Sequence, residues 1–439
     1  MEKIYWARLG HLFVTVFLSS FAGFMVIPAI TDVTMAALCP GQDECSLAIF
    51  LSGFQQAIIG LGNLVVMPII GNLSDRHGRK ALLTLPMTIS IVPLVILAYS
   101  RTTNFFYAYY VLRTITAMVC EGSMNCLALA YVADNISETQ RASVFGVLSG
   151  VVSASFVCGT LTARLLSPAR IFQVAAAVSM LAAVYMRIFL KDTACEIDAS
   201  MQPILKSRQD TIETHDNSSE KIKAFKNIPP PSDLIRLLKS SVTFSQAAIV
   251  MFFNSLCEGG LQASLMYFLK ARFHFNKDQF ADIMLVVGVG GTVSQLLFMP
   301  MLAPYVREEK LLSLGLFIGT INLVLNSVAW SVWVPYAVAA FSVFVVFTTP
   351  CIRSIASKQV GPDEQGKAQG CISGISSFAN IISPLMFSPL TALFLSEGAP
   401  FNFPGFSILC IGVVSLVALI QSLMIRAAPI PSNDNCADA

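Results

Sequence analysis

The hydropathy rhythm constrains this chain more than any other feature. Stretches of about twenty mostly apolar residues recur along it, each long enough to cross a bilayer core. They cover roughly 10–37, 46–70, 81–100, 105–132, 142–166 and 170–190. After a polar break they resume at roughly 241–268, 279–303, 311–330, 334–356, 368–396 and 403–426. A segment in hydrocarbon must satisfy its own backbone hydrogen bonds, so twelve such spans predict an all-α membrane protein. Of 439 residues, 55% are hydrophobic and only 12% charged, too much apolar surface for a water-soluble core.

Composition also excludes several functions. The net charge is +2, with no basic face interleaved with aromatics, which argues against a nucleic-acid partner. No phosphate-cradling GxxxxGK[ST] is present, which argues against an ATP-driven pump. No Cys/His grouping has metal-ligand spacing, no nucleophile–base set is legible and nothing calls for a cofactor. Most cysteines fall inside apolar runs, where they behave as small hydrophobes. Cys39 and Cys45, in "CPGQDEC" after the first span, are different. They can form a disulfide if that connector faces an oxidising compartment.

Six spans stand on each side of the break, and the halves echo each other. "MPIIG" ends the second span and "MPMLA" the eighth; "SETQRAS" follows the fourth and "DEQGKAQ" the tenth. This predicts two pseudo-symmetric six-helix bundles, over 1–191 and 241–427, from a duplicated unit. The residues between, 192–240, read as a cytoplasmic linker, either a flexible tether or a Ser/Thr-rich regulatory loop. Residues 428–439 read as a short cytoplasmic tail. Lys and Arg set the orientation. Arg76, Arg79, Lys80, Arg141, Lys191 and the linker fall on one side, which is then cytoplasmic together with both termini.

The sharpest motif is "GNLSDRHGRK", which packs Asp75, Arg76, His77, Arg79 and Lys80 between two apolar runs. Glycine permits close helix approach at Gly71 and a tight turn at Gly78. Asp75 can accept hydrogen bonds from a neighbouring helix N-terminus. Positive-inside topology alone would explain the three basic residues, but not Asp75 or the glycines. Six plus six spans with this motif resemble the major facilitator superfamily, whose signature runs G-x-L-x-D-[RK]-x-G-R-[RK]. Its places are filled by Gly71, Leu73, Asp75, Arg76, Gly78, Arg79 and Lys80. The resemblance implies the major facilitator fold, with this loop latching the bundles on the cytoplasmic side.

A narrower resemblance follows. "AYVADNISETQRASVFG" is similar to the tetracycline/proton antiporters and the hippocampus-abundant-transcript-like transporters, and "CEGGLQASLMYFLKARFHF" to the latter group. It implies a drug/proton antiport-like activity. Arg113 fits the arginine that drug/proton antiporters carry in the fourth span, although Ala117 stands where a glycine is expected. The fifth-span pattern G-x8-G-P-x-x-G-G survives only as Gly150 and Gly159; Thr160 replaces the proline, and Ala163 and Arg164 the glycine pair.

Charges inside the spans are the remaining candidates, since each costs at least about 2.5–3.5 kcal/mol near the bilayer centre. Glu121 and Glu258 both fall about ten residues from a span end, roughly 15 Å deep. They are read as proton carriers or substrate contacts. Glu121 alternatively forms a structural pair with Asn125, one turn on. Asn254, Glu258 and Gln262 fall at i, i+4 and i+8, one polar face that suits a lined pocket. Arg113 either pairs with an acid such as Glu121 or snorkels outward.

The expected function is a secondary active transporter of a small organic solute, working as a monomer by alternating access and driven by protons. A gradient-independent facilitator or a proton symporter of the same fold is the alternative. A non-transporting receptor or sorting protein would need a larger soluble module than the central loop offers.

Overall fold

The computed structural model describes residues 2–38, 46–190, 236–239, 241–275, 277–396 and 399–425. Among them all regular structure is helical. Twelve rods follow the apolar runs in order. In the first half they are α1 (Glu2–Leu38), α2 (Ser46–His77), α3 (Arg79–Ile89 and Ile91–Tyr99), α4 (Thr103–Cys120 and Ser123–Asn135), α5 (Arg141–Leu165) and α6 (Pro168–Phe189). In the second they are α7 (Val242–Phe273), α8 (Lys277–Val293, Ser294–Phe298 and Met299–Leu302), α9 (Glu308–Ser327), α10 (Trp333–Phe341, Ser342–Phe347 and Thr348–Ser357), α11 (Gln365–Leu395) and α12 (Phe406–Leu423).

Eleven of these rods are long and apolar enough to cross a membrane by composition alone. The remaining one, α7, is 32 residues long but is interrupted by Asn254, Glu258 and Gln262. It packs along α11 and α12 and so takes its place in the second bundle. Large apolar side chains such as Leu85, Ile115, Val184, Phe317, Leu385 and Ile420 stay exposed on the outside, the surface a bilayer would cover.

Four rods lose regular geometry midway, three beside a proline. Proline has no N–H to return to the carbonyl four residues back. Pro93 leaves Ile89 without that bond, and α3 breaks at Ser90. In α8 a π-turn over Ser294–Phe298 precedes Pro300. In α10 a 3-10 segment, Ser342–Phe347, precedes Pro350. The carbonyl that Pro350 leaves free is that of Val346, and Gln295 Nε2 from the α8 π-turn donates to it at 3.2 Å. The break in α4 falls at Glu121 and Gly122.

Each bundle holds two apolar cores stacked along its axis. In the first they form around Leu9, Tyr131, Phe145 and Met186, and around Met25, Phe106 and Phe172. In the second they form around Phe244, Phe347 and Ile372, and around Phe268, Ile408 and Ile411. Ala142, from α5, is buried in the core around Phe244, so apolar packing crosses between the bundles at that end.

The structure corrects one boundary. The 71–80 motif is not a connector: α2 runs through Asp75 and Arg76 to His77. Only Gly78 lies outside a helix, at φ 85°. Arg76 and His77 sit in the last turn of α2, where the helix dipole favours positive charge. Cys39, Cys45, the tail and all of the linker but 236–239 lie outside the described residues.

Candidate functional site

The motif closes one end of the bundle pair. Asp75 Oδ1 accepts from the Gly366 N–H and Oδ2 from the Lys367 N–H, both at 2.9 Å. Those amides belong to the first turn of α11, whose N–H groups have no partner within their own helix. A carboxylate at a helix N-terminus also meets the positive end of its dipole. Arg79 ties this cap down: it pairs with Asp75, donates to Ser74 Oγ, and reaches Asp134 at the end of α4 through Nε at 2.8 Å. Gly78 makes this possible, because its positive φ starts α3 immediately and turns Arg79 back onto α2. Arg76 and Lys80 take no part in these contacts.

The backbones of α2 and α11 touch because both present glycine. A Cβ at Gly71 would land on the Gly366 carbonyl. One at Gly370 would lie 2.7 Å from the Met67 carbonyl and 3.2 Å from Pro68 Cα. Gly366, Gly370 and Gly374 are spaced i, i+4, i+8, the small-residue stripe that lets helices approach closely. That signal was open to sequence reading in "GKAQGCISG". So was "GVLSG", whose Gly146 and Gly150 carry α5 against Met299 and Leu296 of α8. Neither Met67 O nor Pro68 Cα can move without moving α2. Gly370→Ala should therefore weaken this closure by about 1–3 kcal/mol. The check is faster labelling of buried Cys126 by a water-soluble maleimide, quantified on its peptide.

A second contact crosses the same end. Arg141, at the start of α5, donates from Nη1 to the Ser357 carbonyl in the last turn of α10, at 3.1 Å. An acid thus caps the N-terminus of α11, and a base caps the C-terminus of α10. The ion pairs beside these caps are mirror images in charge. Arg79 at the start of α3 meets Asp134 at the end of α4; Glu308 at the start of α9 meets Lys358 at the end of α10, at 2.8 Å.

The polar groups in mid-bundle lie beyond this closure. Glu121 pairs with Arg113, Oε2 to Nη2 at 3.6 Å, with 42% and 35% of the two side chains exposed. Its ion partner is therefore Arg113, two turns earlier, and Arg113 turns inward along α4. Asn125 is exposed beside them. Gln55 of α2 donates to Thr114 of α4 at 2.9 Å, near the same pair. Glu258 stands at the middle of α7, exposed, and takes the Asn254 amide at 2.9 Å. Among the described residues no basic nitrogen lies within 4.0 Å of it. Gln262, one turn on, is also exposed, while Asn254 is buried.

Contact register sets the relative height of the two acids. Around Glu258, Ser255 bonds Ser376 of α11 at 2.8 Å, and Gly259 abuts Asn380 and Ser383. On α11, Gly374 faces Pro68 of α2, and Ile381 faces Gly60. Around Glu121, Met118 faces Gly62 and Gly122 faces Met67. Both acids therefore stand level with residues 60–68 of α2, one in each bundle.

An all-helical body of two six-helix bundles, with a charged contact joining them at one end and acids at mid-height, has the architecture of a membrane transporter. The chain belongs to the Major Facilitator Superfamily, whose family model matches residues 12–384. It is 25% identical over 396 residues to human Hippocampus abundant transcript-like protein 1, covering 88% of this chain and 71% of that one. It is 24% identical over 395 residues to mouse Hippocampus abundant transcript 1 protein, covering 88% and 74%. The class C tetracycline resistance protein of Escherichia coli is 22% identical over 353 residues, covering 80% of this chain and 81% of that one. In fold it is similar to the human organic anion transporter MFSD10, with TM-score 0.75 at 16% identity over 95% of this chain and 99% of that one. It is also similar to FucP in its outward conformation, with TM-score 0.70 at 12% identity over 97% and 100%.

Proposed function

We propose that this transporter moves a small organic solute by proton-coupled alternating access, with Glu258 as the proton-exchanging group and Glu121–Arg113 as the opposing wall of the solute site. The working unit is a monomer of two bundles, 1–191 and 241–427, joined by the 192–240 linker. The motif end faces the cytoplasm with both termini. The reading is carried by one observation: Glu258 is a mid-helix, solvent-accessible carboxylate held by a neutral amide, with no basic nitrogen of the described residues within 4.0 Å. A carboxylate in that position can exchange a proton from a wet cavity, whereas an ion pair would fix its charge. The family match supports transport as the task, and the tetracycline resistance relative lends the solute class.

The test is uptake into proteoliposomes with and without an imposed pH gradient. Accumulation above the external solute concentration is expected only with the gradient; equal uptake in both conditions would favour a facilitator. A specific observation supports that second reading. Where the antiporter pattern has proline, Thr160 sits in an unbroken α5 and returns its hydroxyl to Phe156 O at 2.8 Å.

A further inference from the structure

Arg353 occupies a place that neither the latch nor the mid-height acids explain. It lies on α10, buried to 7% exposure. Its Nη1 donates to Gln369 Oε1 and Ser373 Oγ of α11, both at 3.2 Å, and Gln369 returns its amide to the Arg353 carbonyl. These partners are neutral, and among the described residues no carboxylate lies within 4.0 Å of Arg353. A buried guanidinium satisfied only by neutral oxygens keeps an uncompensated charge, which is costly away from water.

Two features say when that cost is incurred. First, Gln369 and Ser373 flank Gly370 and Gly374, the residues on which α2 closes. Cys126 of α4 completes the cover, fully buried, with its thiol against Ser373. Arg353 is therefore sealed by the same approach of α2 and α4 to α11 that forms the latch, and it reaches water when they part. Second, Glu258 stands close by, across α10 and α11. Thr349, one turn before Arg353 on the same face of α10, lies beside Glu258. Ser376, one turn after Ser373, bonds Ser255 of α7. The titratable groups facing Arg353 are Cys126 and Glu258, and α11 offers only neutral side chains there.

We propose that Arg353 reads the charge of Glu258 and converts it into opening or closing of the motif end. With Glu258 ionised, its negative charge offsets the buried guanidinium and the motif end stays shut. With Glu258 neutral, the buried cation is uncompensated, and separation of α2 and α4 from α11 returns Arg353 to water. Arg353 is thus a positioning residue that never touches solute. The inference rests on Glu258 being the proton-exchanging group.

The test uses the full chain in vesicles and its native Cys126 as reporter. A water-soluble maleimide is applied from the motif side, and labelling of the Cys126 peptide is quantified. In the presence of Arg353, Glu258→Gln should raise the labelling rate about fivefold or more, the lower end of coupling between linked sites. In an Arg353→Gln background the added Glu258→Gln should change it less than about twofold, since uncoupled changes add. Arg353→Lys, which keeps the charge, should retain the rise and shows that the site still folds. An equal rise in the Arg353→Gln background, or none with Arg353 present, overturns the proposal. Gradient-driven uptake by the unmodified protein is scored separately. If uptake ignores the gradient but the labelling pattern holds, the proton reading fails and the charge link stands. If uptake is coupled but the pattern fails, only this inference falls.

Discussion

Asp75→Asn should cut solute uptake on the order of tenfold while leaving the protein inserted and folded. The carboxylate accepts two backbone N–H groups from α11, one per oxygen, and pairs with Arg79. An Asn side chain keeps one acceptor oxygen, points an N–H₂ group at the other amide and removes the charge. Hydrogen bonds to charged groups contribute about 1.5–3 kcal/mol each. Losing one shifts the closed-to-open ratio at this end roughly ten- to hundredfold, and a cycle that cannot shut one door turns over slowly. The measurement is initial uptake rate normalised to the amount of protein in the membrane. Wild-type rates for this variant would mean that the Asp75 cap is structural only.

Glu258→Gln should abolish gradient-driven accumulation while leaving solute exchange at equal pH on the two sides. The amide is nearly isosteric, so Asn254 still finds a partner, but the proton no longer has a site. The loss should be tenfold or more in steady-state accumulation, because one group is asked to carry the coupling; exchange should fall less than about threefold. Uptake that retains its full pH dependence would take Glu258 out of the coupling role and turn attention to Glu121. There the Arg113 guanidinium at 3.6 Å already holds the carboxylate as an ion pair.

These two residues show what kind of information each level carries. Asp75 is legible because its motif is local. An acid and two glycines in ten residues, between two apolar runs, imply a tight turn and a cap on a neighbouring helix. What it latches was legible only as a type, a helix N-terminus; that the helix is α11 comes from a contact spanning 291 positions. Glu258 is legible because an ionisable group mid-span is costly, and the cost marks it whatever surrounds it. That no basic nitrogen among the described residues lies within 4.0 Å of it is set by the helices packed around it, not by its own neighbours in sequence. Glu121 shows the limit: the sequence offered both Asn125 at i+4 and Arg113 two turns earlier, and only packing chose Arg113. Arg353, near a span end, reads from sequence as an ordinary interface anchor. Its burial by α4 and α11 makes it something else.

The sequence by itself determined the architecture and the depth of its polar groups. Hydrocarbon leaves only one solution for a twenty-residue apolar run, and one residue of helix advances a fixed distance. Twelve rods in two repeats and the level of the two acids follow from such local rules. Only the tertiary structure decided partnership: which glycines bring α2 onto α11, which helix N-terminus meets Asp75, and which neutral groups enclose Arg353. Those pairings join residues on different rods, and helix–helix contact depends on the relative rotation and height of both. No local pattern encodes that, because it is set by how all the rods pack together.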